Sequence, residues 1–248
     1  GIRISTRPDA VDPPVLALLK KYGVTTIELG AQSMDDRVLL KNGRGHTAKD
    51  VECASRLIRG SGFALGLQMM IGLPGETWAS CQETAVKIAA LKPDCVRLYP
   101  ALVVEGTDLA RWYRQGSYVP LTVEQAADSA AWLLRFFEDR KIAVIRIGLH
   151  AEKSLEKSCI AGPIHPAFGE MVYSRTWRNR LLDRLEKSGS KEKVWKIFVR
   201  PEMLSKAVGQ KRENIRWLAA MGYEVEILPD PSMSAEDPFW IKEVKHCI

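Results

Sequence analysis

The chain has 248 residues, 46% of them hydrophobic and 27% charged, with a net charge of +6; this is enough apolar material for one sizeable core and a second small one. No stretch reaches the about 18 uncharged apolar residues that a membrane-spanning helix requires, and no basic-then-apolar leader opens the chain, which favours a cytoplasmic protein. The five cysteines, Cys53, Cys81, Cys95, Cys159 and Cys247, are scattered without a CxxC or CxxxCxxC pair, which argues against a disulfide framework and against a complete zinc or iron–sulfur site.

Ile2-Arg3-Ile4-Ser5 is strand-like from the outset and position 1 is Gly, so the chain is expected to be a fragment that begins inside a domain. Over the first 150 residues, short β-branched runs alternate with longer amphipathic ones. Strands are expected at 2–6, 25–29, 65–71, 95–99 and 143–147, and helices at 13–22, 48–61, 78–91 and 123–141. Pro13-Pro14 and Thr47 serve as start signals, and Gly23 and Gly62 as stops. Alternating strands and helices predict a parallel sheet. About five such units make an open piece of a barrel, because a closed eight-unit barrel takes about 200 to 250 residues.

After Gly148 the alternation ceases. Residues 149–164 are expected as a loop, His165-Pro166-Ala167-Phe168 opens a helix running to Glu186, and Lys187-Ser188-Gly189-Ser190-Lys191 reads as a linker and domain boundary. From there a small α/β unit follows: strand 195–199, basic turn 205–212, helix 213–221, Gly222, strand 223–228. Three regions are therefore expected, at 1–150, 151–190 and 191–248. Charge is uneven along them. Residues 175–216 hold 13 of the 36 Lys+Arg and only 5 of the 30 Asp+Glu, a block suited to phosphate contacts or, more simply, to a solvated helix face.

Polar groups gather at the C-terminal ends of the expected strands, where parallel α/β folds place their chemistry. The segments are 5–9 (STRPD), 28–33 (ELGAQS), 42–47 (NGRGHT) and 68–77 (QMMIGLPGET). Gly72, Pro74 and Gly75 allow a tight turn that brings main chain close to a flat ligand, or simply turn the chain. Gln32 and Gln68 offer donors and acceptors suited to ribose hydroxyls or an amino-acid moiety, and Arg44 offers a planar fork suited to a carboxylate. Each of the three also reads as a satisfied loop residue.

Taken together, ISTRPD (4–9), ELGAQSMDDRVL (28–39), NGRGHT (42–47), MMIGLPGET (69–77) and VRLYPALVVEGTDLARWYRQGSYVPLT (96–122) resemble the radical S-adenosylmethionine (SAM) superfamily, and within it the elongator catalytic-subunit family. The resemblance implies the C-terminal part of an incomplete (β/α)6 barrel that uses SAM and a [4Fe–4S] cluster to generate a 5′-deoxyadenosyl radical, with an electron donor such as flavodoxin or ferredoxin. Carried over by position, Gln32, Arg44 and Gln68 are expected to contact the ribose and methionyl parts of SAM. Ile71, Gly72 and Leu73 are expected to form the adenine shelf, and Ser5 and Arg7 to face the same cavity. The sequence departs from the family in lacking the CxxxCxxC loop, whose place lies ahead of residue 1, so the chain alone is expected to be inactive with no metal ligands of its own. The acetyltransferase domain of elongator subunits has no counterpart here.

The tail, KAVGQKRENI (206–215) followed by LAAMGYEVEI (218–227), is similar to a KH domain, in which a GxxG loop between two helices clamps single-stranded nucleotides. Gly209 holds the first glycine position and Arg212 the second. Lys206, Gly209, Lys211, Arg212 and Arg216 are therefore the expected RNA contacts, with a KH-shaped packing module as the other reading. The resulting expectation is a radical SAM enzyme acting on RNA, transfer RNA in particular. A radical SAM enzyme acting on a porphyrin-like small molecule, and a non-catalytic RNA-binding protein, are the alternatives. His46, His165, Tyr99, Glu105 and Thr107 are weaker candidates near the substrate side, and Trp112, Trp132, Trp177 and Trp217 are expected to pack.

Overall fold

The structure is a computed structural model that describes residues 1–149, 153–189, 193–233 and 239–244. The chain divides into two units, Gly1–Phe168 and Gly169–Ile248.

The first unit runs β1 (Ile2–Thr6), α1 (Pro13–Lys21), β2 (Val24–Gln32), α2 (Asp36–Lys41), α3 (Ala48–Gly60), β3 (Ala64–Ile71), α4 (Trp78–Ala90), β4 (Cys95–Pro100), β5 (Val103–Val104), α5 (Asp108–Arg114), α6 (Val123–Glu138), β6 (Ala143–Ile147), α7 (Lys153–Ser158) and β7 (Cys159–Ala161). Helix starts are dictated locally. Asp12 accepts from the Val15 amide ahead of Pro13-Pro14, and Thr47, Thr77 and Thr122 each open a reciprocal capping box with the residue three positions on; a cap of this kind is worth about 1 kcal/mol.

Five strands form one parallel sheet in the order β1-β2-β3-β4-β6. Period-two alternation sorts its side chains. Ile27, Leu29, Leu65, Leu67, Met69, Ile71, Val96 and Leu98 are buried on one face, where α3, α4 and α6 pack, each such side chain contributing about 1.5–3 kcal/mol. The alternate positions Arg3, Ser5, Glu28, Gly30, Gly66, Gln68, Cys95, Arg97 and Tyr99 turn to the other face, which is polar. Between α4 and α6, Trp78 meets Trp132 edge-on at 5.3 Å and Trp132 stacks on Phe136 at 5.2 Å, the packing role expected of Trp132.

The segment 149–164 is not all loop. Within it α7 and β7 form, and β7 pairs antiparallel with β5, while Ala161 packs on the small cluster Val103, Ala110 and Tyr118 with Trp112. Strands of two or three residues leave no readable periodicity, which is why the sequence pattern missed them.

The second unit comprises α8 (Phe168–Lys187), β8 (Val194–Val199), α9 (Leu204–Val208), α10 (Glu213–Ala220), β9 (Glu224–Pro229) and β10 (Phe239–Glu243). Its sheet runs β10-β8-β9, with β8 parallel to β9 and antiparallel to β10. Trp177, Leu181 and Leu185 of α8 join Trp195, Ile197, Val199, Ala207, Leu218 and Val225 in one core, against which Trp217 also packs. The division therefore falls ahead of α8 rather than in the 187–191 segment, because the apolar face of α8 has its partners in the tail. Part of that linker, Ser190 and Lys191, lies outside the described residues, as does Cys247.

Candidate functional site

The polar face of the large sheet is organised around Glu28, a carboxylate only 1% exposed in the middle of β2. Three strands supply its partners. Arg3 Nη1 of β1 donates to Oε1 at 2.6 Å, Arg97 Nη2 of β4 donates to the same oxygen at 2.8 Å, and Gln68 Nε2 of β3 donates to Oε2 at 3.0 Å. Burial pushes the Glu28 carboxyl up, but Arg97, Arg3 and Gln68 outweigh it and hold the group below the usual carboxylate range. Space for the side chain comes from Gly66, where a Cβ would stand 2.6 Å from Glu28 Cγ. Gln68 also donates to Ser5 Oγ at 3.2 Å and Arg97 to the Tyr99 hydroxyl at 3.4 Å. Ser5, Gln68 and Tyr99 thus belong to one network. Sequence reasoning missed Glu28, Arg3 and Arg97; the available signal was a charge in mid-strand on three strands of one sheet, β1, β2 and β4.

At the C-terminal end of β2 the ladder to β3 is interrupted between Leu29 and Gln32. The freed Ala31 carbonyl accepts from the Ser33 amide at 2.8 Å and lies 3.2 Å from His46 Nε2, so His46, 5% exposed, supports the turn. Gln32 follows with φ 65, a left-handed backbone rare outside glycine. Its side chain folds over Gly30. A Cβ at Gly30 would stand 2.7 Å from Gln32 Nε2 and 3.8 Å from Arg44 Nη2, so the missing side chain makes a cradle on which the two converge. Arg44 is half-buried and has no carboxylate partner among the described residues. Burial lowers its pKa from the usual value, as does the nearby Arg7. Arg7 itself grips Asp9 through two hydrogen bonds, at 2.9 and 2.8 Å, and lies over Gly45, where a Cβ would be 2.6 Å from its Nη2. A half-buried guanidinium beside an amide above bare backbone is a donor set that could hold a carboxylate and hydroxyls.

Next to this end of the sheet, Gly72 turns with φ 80. Its amide donates to Glu76 Oε2 at 2.6 Å and its carbonyl accepts from the Tyr118 hydroxyl at 2.7 Å. The side chains of Ile71 and Leu73 are buried, Leu73 in a cluster with Val38 and Ala101, and their carbonyls accept from the Ala101 and Glu76 amides at 2.8 and 2.9 Å, so the expected adenine shelf has its main-chain groups engaged within the fold. Burial pushes the Glu76 carboxyl up to about 7 against the backbone hydrogen bonds from Gly72 and Leu73, and its Oε1 is buried without a partner. Glu76 and Tyr118 also escaped the sequence reading.

The weaker candidates have structural work. His165 Nδ1 accepts from the Ala167 amide at 3.1 Å, Thr107 caps α5, and Glu105 pairs with Arg114. Among the described residues no three His, Cys, Asp or Glu side chains gather to hold a metal.

In the second unit the loop between α9 and α10 holds three residues with positive φ. Gly209 has φ 76 and is hemmed in: a Cβ there would meet Ser174 Oγ at 2.7 Å and Glu213 Cγ at 2.8 Å. Lys211 (φ 48) and Arg212 (φ 61) are both left-handed. Buried Asn214 fastens the loop by donating to the carbonyls of Ser174, Lys206 and Ala207 at 2.9, 3.2 and 3.0 Å. Lys211, Arg212 and Arg216 are exposed, whereas Lys206 lies over the Tyr173 ring at 4.7 Å. Arg212 pays for a conformation glycine adopts freely, so Arg212→Gly is expected to stabilise the fold by about 1 kcal/mol in urea denaturation.

Comparison with known proteins covers the first unit and the start of α8. Residues 1–88 match the radical SAM superfamily and residues 93–178 match the radical SAM C-terminal domain. The tRNA uridine(34) acetyltransferase of Methanocaldococcus jannaschii is 34% identical over 128 residues, 50% of this chain and 24% of that protein. Elongator complex protein 3 of Homo sapiens is 34% identical over 137 residues, 54% of this chain and 25% of that protein. The solved structure of the archaeal Methanocaldococcus infernus Elp3 with an N-terminal deletion has a TM-score of 0.61 at 26% identity, covering 75% of this chain and 42% of that one. The match spans about a quarter of the length of these two curated relatives. By these matches and by its one-sided parallel sheet, the chain belongs to the radical SAM superfamily and is homologous to the elongator catalytic subunit.

Proposed function

We propose that the chain is part of a radical SAM enzyme whose substrate is an RNA, transfer RNA in particular. One observation carries the SAM part: Arg44, half-buried and without an anionic partner among the described residues, converges with Gln32 on bare Gly30. The RNA part is supported by relatives named for tRNA uridine modification and by a basic loop similar in sequence to a GxxG clamp.

When bound, SAM and a reduced [4Fe–4S] cluster supply one-electron cleavage of SAM and hydrogen abstraction from the substrate. This chain's residues do the holding. Arg44 receives the methionyl carboxylate, Gln32 the ribose or amino-acid polar groups, and the 71–73 turn gives the flat base a surface to lie on, its own hydrogen-bonding groups being engaged by Ala101, Glu76 and Tyr118. The Glu28 network ties β1, β2, β3 and β4 together on the polar face beside them. RNA and an electron donor of the flavodoxin or ferredoxin kind are the partners of this reading. Acetyl transfer, named for the relatives, is not carried over, because the match covers only a quarter of their length.

The test uses the full-length protein with its cluster reconstituted. Arg44→Ala is expected to weaken SAM binding by one to two orders of magnitude in equilibrium dialysis, the value of a charge-assisted hydrogen bond of about 1.5–3 kcal/mol. A deletion strain is expected to lose a modified nucleoside from its tRNA, restored by the wild-type protein and not by Arg44→Ala. Unchanged SAM binding would refute the SAM reading, and an unchanged RNA modification profile the RNA reading.

A further inference from the structure

The sheet of the second unit has two unlike faces. Trp195, Ile197 and Val199 of β8, Val225 and Ile227 of β9, and Phe239 and Ile241 of β10 all point into the core shared with α8, α9 and α10. The alternate residues face away from those helices. Register aligns them in rows across the three strands: Trp240, Phe198 and Leu228 in one, Lys242, Lys196 and Glu226 in the next.

The first row is an aromatic stack. The Trp240 and Phe198 rings lie 3.9 Å apart between centroids and 9° from parallel. Trp240 is 38% exposed, so the stack is not sealed into a core. Its orientation is fixed from two sides, by Phe198 beneath and by Nε1 donating to Asp230 Oδ2 at 3.1 Å. One register step away Lys242 is exposed, and Lys196 pairs loosely with Glu226 at 3.4 Å.

An indole held flat and partly exposed on a sheet face, with lysines within side-chain reach, is the arrangement that stacks an unpaired base while its phosphate meets a cation. The unit around it carries most of the chain's basic block, residues 175–216. We infer that this sheet face is a base-stacking platform for single-stranded RNA, with Trp240 as the stacking surface and Lys242 and Lys196 as the phosphate contacts. It is a separate contact from the Gly209–Arg212 loop, since that loop joins two helices on the opposite side of the sheet. The inference deepens the RNA reading above and names how the tail engages the strand.

The test titrates the 248-residue chain with a fluorescent single-stranded oligouridylate and with an abasic oligonucleotide of equal length and intact phosphates. Trp240→Ala is expected to weaken the oligouridylate about 10-fold and to leave the abasic strand unchanged, with Trp240→Phe restoring most of the loss. Lys242→Gln is expected to weaken both strands and to flatten the salt dependence by about one phosphate contact. Equal oligouridylate binding by the wild type and Trp240→Ala would overturn the inference. So would an equal loss on the abasic strand, or a fall in sedimentation mass showing that the patch joins two copies of the chain. If Trp240→Ala is silent while Lys211→Gln still weakens RNA, only the platform fails and the RNA reading stands.

Discussion

Replacing Glu28 by alanine is expected to cost about 3–5 kcal/mol of stability, because it leaves Arg3 and Arg97 facing one another with no countercharge between them. Arg97 is mostly buried and cannot swing into water without breaking its place on β4, whereas Arg3 at the sheet edge is 42% exposed and can. Glu28→Ala should therefore lower the urea midpoint far more than Arg3→Ala. The double variant Glu28→Met, Arg97→Met should recover much of the loss, since an apolar replacement of a whole buried pair is often close to neutral. The same cluster sets an acid limit. The folded carboxyl is held below its unfolded value, so its contribution is full above the ordinary carboxylate range, declines as pH falls below that range and is gone once pH has fallen through the depressed folded value. Glu28→Gln should accordingly flatten the acid limb of the stability curve, measured as midpoint against pH.

Glu76 predicts the opposite pH dependence. Its carboxyl titrates at about 7 in the folded chain, against about 4.3 when unfolded, because burial disfavours the charged form. A raised value means that the folded state holds the proton more tightly. The stabilisation is complete below about pH 4 and is lost as pH rises through about 7. Glu76→Gln keeps an oxygen for the Gly72 amide and removes the ionisation. The variant should match the wild type near pH 5 and exceed it by about 2–3 kcal/mol at pH 8 and above. Equal stability at both pH values would show that the carboxyl is already solvated and ordinary.

Much of the fold could be read from periodicity and punctuation. The five strands of the large sheet and the helices opened by Thr47, Trp78 and Val123 stand within a few residues of their expected bounds, because each is long enough to show its period and is marked by a cap or a glycine. The elements that escaped are α2, α5, α7, α9, β5, β7 and β10; most are short, and β10 is a strand by virtue of its pairing with β8, a partner distant in the chain that local pattern does not report. The boundary moved for a related reason. The apolar residues of α8 announce a buried face, yet only the tertiary partners Trp195 and Leu218 say in which unit that face is buried.

The site divides along the same line. Gln32 and Arg44 were legible as polar residues at a strand end, and the structure brings them together over Gly30. Gln68, read as their companion, is turned instead into the network of Glu28 and Ser5. A side chain at the right strand end still chooses its partner by register, and register is a relation between strands that no single segment encodes. Glu76 was hidden inside a segment whose glycines drew the attention; its meaning rests on the burial of one carboxyl oxygen.

The Glu28 cluster has a final consequence for how the chain finds its fold. Strand residues alternate strictly between faces, so a slip of one residue in β1, β3 or β4 would carry Arg3, Gln68 or Arg97 onto the side packed by helices and leave Glu28 short of a partner. Such a slip also turns the apolar set out of the core, but a slip of two residues keeps the faces, and there apolar residues alone discriminate weakly because one valine fills much the same space as another. A buried carboxylate that needs donors from three separate strands acts as a checksum on the sheet, satisfied only when all four strands are in alignment together.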